Sequence, residues 1–214
     1  MSNFRLFTHS AIRIEGKYVL YFDPYSLAPL GDGPKDGDYV FSSHTHHDHF
    51  SPEDIARVAK PGAVLVQPEC DRALGEDLGY TGDKHICLMP GDSFEAEGLK
   101  VSAIPSYTPG FINHSRDKNF LGFIVEMDGV TYYIAGDCYD TPEGRAVKAD
   151  VAFVPVGGTY TMDAAEAASV INDAKPKIAV PTHYGHVVGS AADAEKFASL
   201  LDPEIECRII MEWE

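Results

Sequence analysis

Residues 42–50 read SSHTHHDHF, so four of the nine histidines (His44, His46, His47 and His49) stand beside Asp48. Imidazole and carboxylate side chains at this density are the donor set of a divalent metal site. His44 and His46 follow the β-rich run DYVFSS. In an extended chain, residues two apart point the same way, so both rings can reach one ion. The chain then turns into SPEDIARVAK, and that turn can aim Asp48 and His49 at a second point close by. H-x-H-x-D-H thus offers two ligand pairs. The alternative is a solvated loop, in which clustered histidines are harmless. Buried together without an ion, they would repel on protonation and strand polar atoms.

A closed site needs ligands from elsewhere in the chain. His114 lies in the loop segment GFINHSRDKN, Asp137 in YYIAGDCYD and His183 in AVPTHYGH. The last two sit at strand ends, where loops on a rigid sheet carry functional groups.

The elements that must position them read as follows. FRLFTHS, AIRIEG and KYVLYFDP are short strands, the last two joined as a hairpin at Gly16. DYVFSS is a buried strand. SPEDIARVAK is a helix, with Ser51 as N-cap, Pro52 at the first position and Asp54 in capping-box spacing. AVLVQP, ICLM and LKVSAIP are strands, and CDRALGEDLG is a short helix. LGFIVEM and VTYYIAG flank Asp128-Gly129, a type I′ hairpin signal. DVAFVPV, KIAVPTH and IECRIIMEW are strands, and DAAEAASVINDAK and SAADAEKFASLL are helices, the first with Asp163 and Glu166 in capping-box spacing. The pattern is a mixed α/β (α+β) chain with helices outside sheet. The Gly/Pro/Asp loop 27–38 is long enough to suggest a functional role.

With 214 residues and no Pro/Gly/Ser linker, the chain reads as a single domain, 1–214, burying roughly 70% of its unfolded surface. A net charge of −16 argues against nucleic-acid and anionic-membrane partners. Cys70, Cys87, Cys138 and Cys207 form no C-x-x-C pair and read as reduced thiols. The start lacks the layout of a secretory signal, and no apolar run suits a membrane span, which predicts a soluble, cytoplasmic protein.

H-T-H-H-D-H, a loop histidine, G-D at a strand end and P-T-H-Y-G together resemble the metallo-β-lactamase superfamily. THSAIRIEGKYVLYFDPY, GFIVEMDGVTYYIAGD, DVAFVPVGGTYTMDAAEAA and PKIAVPTHYG are similar to its branch of L-ascorbate-6-phosphate lactonase-like hydrolases. The likeness spans nearly the whole chain. It implies a four-layer αββα sandwich with a dinuclear metal site at one edge. It also implies that His44, His46 and His114 hold one ion, Asp48, His49 and His183 the other, and Asp137 bridges. Members commonly have threonine after the bridging aspartate. Cys138 stands there instead and is expected to pack away from the site. The chain leaves no room for the domain that the superfamily's nucleases insert.

Around this set, Asp23 reads either as a turn aspartate or as a carboxylate orienting a ligand imidazole. His9 reads as a site-edge histidine or a strand-end residue. Arg116 and Lys118 flank His114 as a solvated pair or an anion clamp. Tyr107, Tyr160 and Tyr184 stand in loops near the ligands, His186 reads as a mouth residue, and His85 is a fallback ligand.

The resulting expectation is a metal-dependent hydrolase with two divalent ions, zinc first, manganese or iron as alternatives. Its substrate would be a small, possibly anionic ester, lactone or phosphoester, with Asp48 also orienting or deprotonating the nucleophile. Rival readings are an iron-dependent redox enzyme of the same fold and a non-enzymatic metal-binding scaffold. An amidohydrolase barrel also uses H-x-H, but needs about 250 residues.

Overall fold

The structure, a computed structural model, describes residues 3–31, 33 and 35–212. The first half of the chain forms β1 (Asn3–Leu6), β2 (Ile12–Glu15), β3 (Val19–Phe22), β4 (Gly37–Phe41), α1 (Pro52–Val58), β5 (Ala59–Pro68), α2 (Arg72–Asp77) and β6 (His85–Leu88). Its strands make one sheet in sequence order, antiparallel from β1 to β3 and parallel from β3 to β6. The second half forms β7 (Ser93–Ala96), β8 (Leu99–Pro105), β9 (Leu121–Met127), β10 (Val130–Ile134), α3 (Pro142–Ala146), β11 (Val151–Pro155), α4 (Ala164–Ala174), β12 (Ile178–Thr182), α5 (Ala191–Leu200) and β13 (Glu206–Cys207). Its sheet is antiparallel from β7 to β10 and parallel from β10 to β13.

Period-two alternation decides which layer each side chain joins. In β3, Leu20 and Phe22 point into the core between the sheets, and Tyr21 points into a smaller core under α1. Val40 and Leu65 face the outer core, while their neighbours Phe41 and Val66 face the inner one. Phe22 stacks on Phe41 at 4.4 Å, and Phe41 meets Phe123 of the other sheet edge-on at 5.2 Å. Burying each such ring stabilises the fold by roughly 1.5–3 kcal/mol. Ala167, Ile171 and Phe197 of α4 and α5 cover the outside of the second sheet. Helices therefore flank two face-to-face sheets, as expected.

The parallel strands fix where a site can form. β3, β4, β10 and β12 end on Asp23, Ser43-His44, Asp137 and His183, the side where sheets of this kind collect polar loops.

Several expectations need correction. The first helix ends at Val58, not Lys60, because a residue preceding proline, here Pro61, is driven out of the α region. Ser51 caps that helix by accepting from Asp54 N, but the Asp54 carboxylate accepts from Ser26 N instead of closing the box. The last strand shrinks to Glu206–Cys207, since the chain then crosses to the first sheet, where Met211 bridges Leu6 and Glu212 pairs with Arg5 at 2.5 Å. β7 and α3, four and five residues long, show too little periodicity to be read in advance. Asp128 and Gly129 both have positive φ, as a type I′ turn requires. In the loop 27–38, Leu27 packs under α1 and Asp36 accepts from Tyr21 and Arg13. None of its described residues lines the site cavity, and Asp32 and Pro34 lie outside the described residues.

Candidate metal centre

Asp23 follows β3 and Ser43 follows β4, its parallel neighbour, so the two meet. The Asp23 carboxylate accepts from Ser43 N at 2.7 Å, from Ser43 Oγ at 2.7 Å and from His49 Nδ1 at 2.8 Å. A carboxylate can only accept, so the single Ser43 hydroxyl proton goes to it. Ser43 Oγ is then left to accept from His44 Nδ1, 3.0 Å away. One aspartate thereby sets two tautomers, with Nε2 of His44 and of His49 as the inward-facing atoms.

His49 N and Phe50 N both donate to His46 O, a tight turn that swings Asp48 and His49 back toward His44. Asp137 follows β10 by way of Gly136, whose φ of 64° and close approach to Leu121 O exclude a side chain. His183 follows β12. A Cβ on Gly157 would collide with the His183 carbonyl oxygen, so glycine there lets the β11 and β12 ends converge.

Three ligand-competent groupings result, each with donor atoms within 4.8 Å of one another: His44, His46 and His114; His9, Asp48, His49 and His183; and His44, His49 and Asp137. All seven residues expected as ligands are thus brought together, and Asp137 belongs to the grouping that shares His44 with one of the other two sets and His49 with the other. Its Oδ1 lies 3.1 Å from His49 Nε2 and its Oδ2 3.1 Å from His183 Nε2. His44 Nε2 is 3.1 Å from His46 Nδ1.

The electrostatics of three of the rings suit metal binding. Burial pushes the imidazoles of His9 and His114 down to about 4, and that of His44 well below its ordinary value. They are neutral at pH 7, the form with a lone pair to donate. Burial also opposes charge on His49, but Asp137 and Asp23 outweigh it and raise its pKa.

The donor atoms pass a test of fit. Among the described residues, His49 Nε2, both ring nitrogens of His9 and His183, His114 Nδ1 and Asp137 Oδ1 are buried without a hydrogen-bond partner. His49 Nε2 and Asp137 Oδ1 approach closely, yet not in hydrogen-bond alignment. So many stranded polar atoms in one place would be costly unless they share a further partner. An all-imidazole and carboxylate set suits zinc, iron or manganese. Cys138 packs away as expected: it is buried, and burial pushes its thiol up to about 12.

The centre opens into a cavity of about 170 Å³ lined by His46, Asp48, His114, Asp137 and His183, with Tyr160 also in the lining. His47, expected to point elsewhere, lines it as well. Arg116 does not line it: its guanidinium pairs with Glu143 at 2.6 Å and lies over the Tyr107 ring. His186 is exposed and packs edge-on against Tyr25 at 5.8 Å, also outside the lining. Tyr184 is buried in the core, and His85 stands against Cys87, so neither faces the centre. His9, left between two readings by the sequence, is fully buried with its Nε2 3.2 Å from Asp48 Oδ2. Sequence reasoning missed Phe111, Asn113, Val187 and Val188 of the wall. Ordinary loop residues of this kind carry no signal until the loops are placed.

The sequence profile of the β-lactamase superfamily domain matches residues 3–183. The chain belongs to the β-lactamase superfamily. A UPF0173 metal-dependent hydrolase of Thermoplasma acidophilum is 30% identical over 92% of this chain and 93% of its own length. This superfamily member also matches the structure of Igni18, described as a novel metallo hydrolase of Ignicoccus hospitalis. That match has 25% identity and a TM-score of 0.80, over 100% of this chain and 96% of that one. The metallo-β-lactamase fold protein YhfI of Bacillus subtilis, 16% identical, shares the fold with a TM-score of 0.71 over 95% and 90% of the two chains.

Proposed function

We propose that the protein is a metal-dependent hydrolase with a dinuclear centre acting on a small ester, lactone or phosphoester. One ion would be held by His44, His46 and His114, the other by Asp48, His49 and His183, with Asp137 between them. The observation that carries this reading is the pair of buried donor sets converging on Asp137 at the floor of an open cavity. Divalent ions in such a centre acidify water and polarise a carbonyl or phosphoryl oxygen. Zinc is the first choice for this donor set, with manganese and iron next.

The chain's own groups complete the chemistry. Asp23 and Ser43 hold His49 and His44 in one orientation each, so no reorganisation is needed when a substrate enters. Asp48 lines the cavity and can orient a water molecule or take its proton at a carboxylate oxygen. Tyr160 and Phe111 add apolar surface to the same cavity. No serine, cysteine or lysine nucleophile is required. The expected setting is a small-molecule reaction in the cytoplasm, without nucleic acid. Among the described residues no helix is long and apolar enough to cross a membrane.

The test is elemental analysis of purified protein after incubation with zinc, manganese or iron(II), followed by a screen of esters, lactones and phosphodiesters. Up to two ions per chain and turnover lost in His46→Ala are expected. Well-folded protein that binds no ion would end this reading. A loaded protein inert to every substrate class would favour a binding role.

A further inference from the structure

The walls of the cavity differ in chemistry. Beside the donor residues, His47 and Asn113 are polar, while Phe111, Tyr160, Val187 and Val188 give the lining an apolar part. Among the described residues no lysine or arginine lines the cavity. Two cations, Arg116 and Lys118, flank His114 in sequence, and neither lines the cavity. Arg116 is bound to Glu143 and to the Tyr107 hydroxyl at 3.0 Å. Lys118 lines an adjoining recess that shares His46 and Asn113 with the cavity, but Asp71 and Asp117 line that recess too and oppose an anion there. The whole chain carries −16. Within the cavity lining itself, a phosphate on a substrate would find no guanidinium or ammonium partner.

Phe111 and Tyr160 also line a second, shallower groove with Thr108, Pro109, Gly110 and Tyr139, and no charged residue lies along it. Cavity and groove therefore meet at this aromatic pair, whose rings are 5.0 Å apart. The pair is held in place. Tyr160 has a φ of 66°, an unfavourable conformation for an aromatic residue, and its carbonyl accepts from Thr108 Oγ1 at 2.7 Å. Tyr160 is half exposed, and Ile112, next in sequence to Phe111, is 79% exposed. Apolar surface kept open around a polar centre is the mark of a binding wall.

We propose that the centre hydrolyses an uncharged ester or lactone whose alkyl substituent lies along Phe111 and Tyr160 into the groove, a refinement that rests on the hydrolase reading above. Water adds to the acyl carbon and the acyl C–O bond breaks. The alcohol oxygen gains one proton of the water, and the new carboxylic acid releases the other. Phosphoesters and phosphorylated lactones are disfavoured.

The test uses metal-loaded protein and γ-lactones with unbranched alkyl side chains of increasing length, alongside the same lactones bearing a terminal phosphate. The kcat/KM of the neutral series should rise about fourfold per methylene until the groove is filled, the ratio expected for burying one CH₂. Phe111→Ala and Tyr160→Ala should flatten that rise through KM more than kcat, as loss of uniform binding does. Val187→Lys, a substitution at a partly exposed rim position, should narrow the preference for the neutral over the phosphorylated series. A flat chain-length dependence in the wild type, or preference for the phosphorylated series, would overturn the proposal. Calorimetric binding of the unreactive γ-lactams separates the two readings. If no lactone is hydrolysed but lactam affinity rises with chain length, the wall assignment stands and the hydrolase reading fails. If lactones are hydrolysed but lactam affinity is flat, the reverse holds.

Discussion

His9 holds His183 twice: its carbonyl accepts from His183 N at 2.9 Å, and the two rings lie 3.9 Å apart. Both residues have positive φ. His9 Nε2 also lies 3.2 Å from Asp48 Oδ2, close but out of hydrogen-bond alignment, so one residue from the β1–β2 corner packs against two members of the second donor set.

His9→Ala should therefore lower affinity for one of two ions by about 10–100-fold, the usual cost of losing a group that orients a ligand. His9→Asn, which tolerates positive φ and keeps a polar group, should lose less. Competitive metal titration with a chromophoric chelator measures this. Equal affinities for wild type and His9→Ala would show that the ring braces nothing.

Asp137→Asn tests the position between the two sets. An amide keeps the shape but brings no negative charge and only one oxygen. A folded protein with metal content reduced to about one ion per chain and a large loss of turnover is expected, since dinuclear sites use both ions. Circular dichroism with elemental analysis decides. Two ions and wild-type turnover would return Asp137 to the role of a turn residue.

Asp23→Asn leaves one acceptor oxygen where three donors now converge, from Ser43 N, Ser43 Oγ and His49 Nδ1. The substitution removes no metal contact, yet affinity should fall about 10–100-fold. An unchanged dissociation constant by titration would mean that the tautomers are set by something else.

Gly157→Ala places a methyl group against the His183 carbonyl. Forcing the strand ends apart should cost about 1–3 kcal/mol. For a chain this long, that is a fall of roughly 2–12 °C in Tm. Differential scanning calorimetry on the metal-free protein checks it, and an unchanged Tm would contradict the close approach.

Metal removal should itself destabilise the fold. An ion at 100 times its Kd stabilises by about 2.7 kcal/mol. Chelation should therefore lower Tm by roughly 5–10 °C, with recovery that depends on metal concentration. A Tm indifferent to added metal would argue against the centre.

That the seven donors come together was legible because their chemistry is local: four lie within six residues of one turn, and the others stand at strand ends or in a short loop. Strand alternation, the Asp163–Glu166 capping box and the Asp128-Gly129 turn were legible for the same reason, since each depends on neighbours along the chain. Tertiary structure alone decided what depends on loops far apart in sequence. It turned Arg116 away toward Glu143, left His186 outside the cavity, drew His9 in beside Asp48, and set Phe111 against Tyr160. Spacing can say which donors face one way along a strand. It cannot say which side chain from another loop will reach them, because that is set by how two sheets pack and by close approaches such as Gly157 against His183.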